Sequence, residues 1–176
     1  IDFDNSVYAG IYAFCYWNDN ANIIENNIIN ADYNSSGIYL EGCTGPYTDI
    51  VADNTIISHD PNQSYGIYIS TTRPTTVLNN IFYNLTTGIY NNSNSNDILY
   101  NDFYNNGTDI SGTVPEFFGD EYDTYENGTV YDYYNNIFED PLFTDFENGD
   151  YSLQGGSPCI DAGNPDIVDE NGSASD

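Results

Sequence analysis

Oxygen side chains crowd the last dozen residues of this chain, and their spacing suggests a hard-cation site. Asp169, Asn171 and Ser173 alternate around Gly172, with Asp176 three residues further on and Asp166 three residues before. Short oxygen ligands at every second position, with a glycine permitting the sharp turn, are how calcium loops are built. The glutamate that closes an EF-hand loop at its twelfth position is absent, so an acidic solvated turn is the competing reading. Calcium (Ca2+) is the expected cofactor. Asp120, Glu121 and Asp123 form a weaker second group. Acid–base chemistry has few candidates. His59-Asp60 is the one histidine–acid neighbour, in a long loop where a solvated role is expected. Arg73, in Thr71-Thr72-Arg73-Pro74, is the one cationic side chain, and pairing with a carboxylate is its expected use.

Three cysteines and seven sequons bear on the compartment. Cys15 lies five residues after Gly10 and Cys43 six after Gly37. Equivalent positions on neighbouring strands are about 4.8 Å apart, a separation a disulfide can span. A Cys15–Cys43 disulfide is expected, against two buried thiols, with Cys159 the odd one. Sequons at Asn34, Asn62, Asn84, Asn91, Asn106, Asn127 and Asn171 fit a glycosylated extracellular chain. A chain this rich in Asn, Ser and Thr also makes such triplets by chance.

Charge narrows the partners. The 176 residues carry 28 acidic side chains against one Arg, a formal net charge of -27. Such self-repulsion must be screened by salt or by bound cations for the chain to stay compact. Nucleic acid and anionic membrane are excluded as partners, because nothing here neutralises phosphate. No apolar run approaches the roughly 18 residues of a membrane span. An aromatic content of 16% with regularly spaced Ile and Val argues against disorder.

The elements that must position these groups are written in repeats. Gly10-Ile11-Tyr12, Gly37-Ile38-Tyr39, Gly66-Ile67-Tyr68 and Gly88-Ile89-Tyr90 recur at steps of 27, 29 and 22 residues. Between them runs a second ladder, Ile24 to Ile29, Val51 to Ile56, Val77 to Phe82 and Ile98 to Phe103, each holding one Asn: Asn27, Asn54, Asn80 and Asn101. Repeats of this period indicate a solenoid of stacked coils. Period-2 alternation turns the Ile and Val residues inward and stacks Tyr12, Tyr39, Tyr68 and Tyr90 outside. The ladder Asn is expected at a strand-ending bend, each amide bonded to the next. The fold class is therefore all-β, a parallel β-helix with coils of roughly 21–29 residues. Residues 1–176 form one domain. Regular coils fill 1–111, an insertion or wide coil 112–134, and a last coil with an acidic tail 135–176. Ile1 opens in mid-pattern, so a fragment of a larger protein is expected. The longer loops 30–36, 43–49 and 58–65 would shape a binding face.

The coils, together with Asp140-Pro141-Leu142-Phe143 and the tail Asn148-Gly149-Asp150-Tyr151-Ser152-Leu153 through Gly156-Ser157-Pro158-Cys159-Ile160-Asp161-Ala162-Gly163-Asn164-Pro165-Asp166, resemble the right-handed parallel β-helix repeat proteins of the pectate-lyase-like superfamily. The closest likeness is to its large secreted or surface-anchored members. Resemblance to the superfamily's lyases would imply a basic proton abstractor beside carboxylate-bound calcium. Its hydrolases would imply clustered Asp residues with a His and basic clamps. Neither set is visible here. The expected function is a non-catalytic extracellular module of a cell surface or envelope, structural or adhesive, stabilised by calcium or salt. It would assemble with itself, end to end or laterally, or engage surface glycans. A carbohydrate-active enzyme of lyase or hydrolase type, or a glycan-binding domain, is the alternative.

Overall fold

The structure is a computed structural model. It describes residues 9–14, 20–32, 36–60 and 64–167. Four coils of three strands each follow one another. They comprise β1 (Ala9–Phe14), β2 (Ile23–Glu25) and β3 (Ile28–Asn30); β4 (Ser36–Glu41), β5 (Asp49–Ala52) and β6 (Thr55–Ile57); β7 (Tyr65–Ser70), β8 (Thr75–Leu78) and β9 (Ile81–Tyr83); and β10 (Thr87–Asn91), β11 (Asp97–Leu99) and β12 (Asp102–Tyr104). Strand β13 (Thr108–Gly112) opens a fifth turn. Corresponding strands pair in parallel into three sheets, ordered β1-β4-β7-β10-β13, β2-β5-β8-β11 and β3-β6-β9-β12. This is a right-handed parallel β-helix, the hand that parallel crossover connections take.

Register follows the repeats. Tyr12, Tyr39, Tyr68 and Tyr90 are matched across the first sheet. Their rings stack outside with centroids 5.4, 4.8 and 4.4 Å apart. Ile38, Leu40, Ile67, Ile69, Val51, Ile56, Val77 and Phe82 point inward and are fully buried. The glycine at the second position of β1, β4, β7 and β10 has a steric reason. A Cβ on Gly37 would lie 2.8 Å from the Gly66 carbonyl and 2.7 Å from Ile56, and one on Gly66 would lie 2.5 Å from the Gly88 carbonyl. Larger residues would push the coils apart.

Each Ile-to-Ile segment read as one strand is in fact two, because the chain turns a corner inside it. The left-handed residue at that corner is Asn26, Asp53, Asn79 or Tyr100, one position before the ladder Asn. The ladder Asn follows immediately after it, at the bend. The ladder residues bond across coils. Nδ2 of Asn27 donates to Oδ1 of Asn54 at 2.9 Å, Asn54 to Asn80 at 2.9 Å, Asn80 to Asn101 at 3.0 Å and Asn101 to Asn136 at 3.2 Å. Each backbone N–H donates to the same oxygen. The run ends on Asp132, whose carboxylate accepts from the backbone N–H groups of Asn136, Tyr134 and Gly119.

Residues 112–134 close this end of the helix. An antiparallel hairpin of β14 (Glu121–Thr124) and β15 (Val130–Asp132) carries Asp132 into place. Phe118 meets Phe103 edge-on at 5.4 Å and Phe138 stacks on it at 6.0 Å, plugging the core. Ile137 adds a parallel bridge beside Asp102. The described remainder of the tail, to residue 167, does not continue the coils. A second hairpin, β16 (Phe143–Asp145) and β17 (Asp150–Leu153), folds back over the outside of the third sheet. There Phe143, Cys159 and Ala162 pack on Ile57 and Ile81 as a second core.

Replacing a ladder Asn strands several buried polar groups at once, each worth about 1–3 kcal/mol unpaired. Asn80→Ala is expected to cost about 3 kcal/mol in urea unfolding, and Asn27→Ala, at the half-exposed first rung, about 1 kcal/mol. Equal losses at both positions would contradict the ladder account.

Candidate functional site

Arg73 is the first sequence candidate the structure resolves. The turn between β7 and β8 aims it inward, and its residue exposure is 1%. Its Nη1 donates to Asp49 Oδ1 at 3.0 Å and to the Asn20 carbonyl at 2.8 Å, while Nη2 reaches the Thr44 carbonyl at 3.3 Å. Asp49, at the start of β5, is equally buried and also accepts from the Asn22 backbone at 2.8 Å. The guanidinium therefore ties three loops together inside the protein, as the expected ion pair, and presents nothing to a ligand.

His59 lies at the edge of the third sheet. Its ring stacks on Phe146 of the folded-back tail, centroids 4.5 Å apart, and Nδ1 is 3.8 Å from Asp32 Oδ2. Asp32, not the sequence neighbour Asp60, is the carboxylate facing it. Burial raises the Asp32 carboxyl, but hydrogen bonds from Ser58, Asn30 and the backbone N–H groups of Asp60 and His59 outweigh that and lower it. The histidine is exposed, as read from its loop, and also rests one ring face on the tail.

The other sequence candidates are described only in part. Asp166 is exposed, and its backbone N–H donates to Asn164 Oδ1 at 2.9 Å. Asp169, Asn171, Ser173 and Asp176 lie outside the described residues, as do Cys15 and the sequons at Asn34, Asn62 and Asn171. Asp120, Glu121 and Asp123 are exposed at the closed end. Among the described residues no group of three or more His, Cys, Asp or Glu is placed to hold a metal ion. Cys43 is fully buried.

The sequon at Asn91 is corrected by burial. That residue is 1% exposed, and its Nδ2 donates to the Thr113 carbonyl at 2.7 Å, leaving no room for a glycan. Asn84 and Asn106 commit the same nitrogen to the Ser58 and Phe82 carbonyls at 2.7 and 3.1 Å. Asn127, on the tip of the β14–β15 hairpin, is exposed. The coil corners use Asn for backbone bonding, which is why the triplets are so common here.

Sequence reasoning missed a cleft at the closed end. The hairpin tip and the turn of residues 155–161 face each other across a cleft of about 600 Å³ lined by Tyr125, Glu126, Asn127, Thr129, Pro158 and Asp161. An adjoining hollow of about 330 Å³ shares Asn127, Thr129 and Pro158 and adds Glu139 and Asp140. No local motif announces it, because it forms only when the tail folds back. On the first sheet, the Tyr ladder ends in Tyr12, whose hydroxyl donates to the Glu41 carboxylate. That hydrogen bond pushes the Tyr12 phenol up to about 12.

A model of the family described as periplasmic copper-binding protein (NosD) matches residues 3–145. No curated protein and no solved structure matches the chain. The family's description names copper, which overturns calcium as the expected cofactor, and the described part of the proposed calcium set is a single exposed side chain, Asp166. With a match over most of its length, and the stacked parallel coils described above, this chain belongs to the NosD family of β-helix proteins.

Proposed function

We propose that this chain is a non-catalytic extracellular module of a cell surface or envelope, structural and adhesive, whose acidic surface is kept compact by salt. The burial of Arg73 carries this reading. A lyase needs a basic group against the substrate, and the one cationic side chain is enclosed and paired with Asp49. The Tyr ladder supports the same view, because Tyr39 and Tyr68 present their ring faces to each other rather than to solvent. Stacked rings stiffen the rod and leave ring edges and hydroxyls for contact with other surfaces. The closed end at Asp132 and Phe118 favours lateral contacts, or contacts at the first coil, over repeated end-to-end stacking. A Cys15–Cys43 disulfide, suited to an oxidising compartment, belongs to the same proposal.

Copper, named in the family's description, does not fit this chain's donor set. Copper(I) is held by thiolate and thioether sulfur and copper(II) by clustered imidazole. The chain has no Met and one His. That His stacks on Phe146, Cys43 is buried near Asn22, and Cys159 is buried against Asp102.

A second reading rests on the cleft between hairpin and tail. Its amide, hydroxyl and carboxylate lining suits the hydroxyls of a neutral glycan, and Pro158 and Ile160 offer apolar surface beside them. Co-sedimentation with a panel of insoluble polysaccharides and envelope preparations, with assay for new reducing or unsaturated ends, separates the readings. Binding without product is expected. Product formation that Glu126→Gln or Asp161→Asn abolishes would overturn the non-catalytic reading. For Arg73, removing one member of a buried pair costs about 3–5 kcal/mol. Arg73→Met is expected to lose that much in urea unfolding, with most of it recovered in Arg73→Met/Asp49→Asn. Wild-type stability in Arg73→Met would show that the guanidinium is not a structural tie.

A further inference from the structure

The contact between tail and third sheet contains a buried carboxyl that neither the coils nor the proposed function requires. Along the outer face of that sheet, Ile28, Thr55, Ile81 and Asp102 occupy one column. Asp102 is 3% exposed because the tail covers it, and the Cys159 thiol lies 3.3 Å from its Oδ2. Its Oδ1 has no partner in hydrogen-bonding geometry. The carboxyl forms part of the wall of a small cavity between sheet and tail, about 20 Å³, room for one water, shared with Asn79, Tyr100, Asn135 and Cys159. The tail is fastened around it by the Asn164 N–H on Asn79 Oδ1 at 2.9 Å and by the Tyr125 hydroxyl on the Ala162 carbonyl at 3.1 Å. No cation relieves the site, since Arg73 is committed to Asp49.

We propose that Asp102 and Cys159 form a proton-operated latch holding the 139–167 tail on the third sheet, closed while Asp102 keeps its proton and loosened when it ionises. An ionised carboxylate in this apolar cluster would be desolvated, met only in part by the Cys159 thiol and the Glu139 backbone. Burial pushes the Asp102 carboxyl well above the usual carboxylate range, and the nearby charges of Asp140 and Asp109 push the same way. The Cys159 thiol and the Glu139 backbone offset this in part. Tyr100 is the other titratable side chain on the cavity wall. Because the closed state holds the proton more tightly than the open one, its stability is full below about pH 4, the ordinary carboxylate value, and declines as pH rises toward the raised one. Opening would bare Ile57, Ile81 and Tyr83, an apolar strip now under the tail.

The test is the rate at which Cys159 is alkylated by iodoacetamide, read peptide by peptide by mass spectrometry from pH 5 to pH 8. The wild-type rate is divided at each pH by that of Asp102→Asn, which keeps the shape but cannot ionise and which cancels the intrinsic thiol titration. The ratio is expected to rise by about tenfold or more across the range, a single linked proton allowing up to tenfold per pH unit. A flat ratio overturns the latch. Should Asp102→Asn fail to fold, hydrogen exchange of the wild type decides. Corrected for intrinsic rates, protection in 139–167 is expected to fall with pH while that in 64–104 holds. Equal behaviour of the two segments overturns the proposal.

Discussion

A hydrogen-bonded column of asparagine side chains is the interaction on which the rest of this structure depends. Each amide accepts on its oxygen from the coil before and donates to the coil after, so the column has a direction. It starts at Asn27 and ends at Asp132, a side chain that as a carboxylate accepts and does not donate. At Asn54, Asn80, Asn101 and Asn136 the exposure is 1% or less. Amides buried this deeply hold only if every coil keeps its register. The Ile and Val pairs inside, the tyrosines outside and the glycines at the strand starts all inherit that register. The column fixes where the corners fall, and the corners define three sheets.

The features legible in the sequence were those that recur at coil spacing. Gly37-Ile38-Tyr39 and its copies located the first sheet, and the Asn spacing located the column, because both answer to contacts with the identical position one coil away. The division of the Ile24-to-Ile29 type of segment into two strands was not legible. The left-handed corner residue varies among Asn26, Asp53, Asn79 and Tyr100, and Tyr100 gives no turn signal of its own. Asp132 was hidden for another reason: it joins the column from a non-repeating hairpin. The candidate site was legible only in its parts. The Pro158-Cys159-Ile160-Asp161 tail stood out as a motif, but its contacts with Asp102 and across the cleft to Tyr125 are long-range and follow no period.

Electrostatics divides the molecule into an outside and an inside with different rules. Outside, carboxylates far outnumber counter-charges, so the surface repels anionic polymers. Inside, three acids each meet burial differently. Asp49 is paired with the one guanidinium, Asp132 is surrounded by N–H donors, and Asp102 meets a thiol. Among the described residues no group of three or more His, Cys, Asp or Glu is placed to hold a metal ion, and the single imidazole is stacked against Phe146.

The most direct test of the central claim is backbone and side-chain amide hydrogen exchange followed by NMR at the ladder asparagines. If the column holds the coils together, the N–H groups and Nδ2 protons of Asn54, Asn80 and Asn101 will exchange only through global unfolding, with one common free energy. Asn27, at the half-exposed first rung, will exchange faster. Exchange at Asn80 and Asn101 as rapid as in the exposed hairpin of residues 121–130 would contradict the account, leaving the coils to be held by their apolar interior alone.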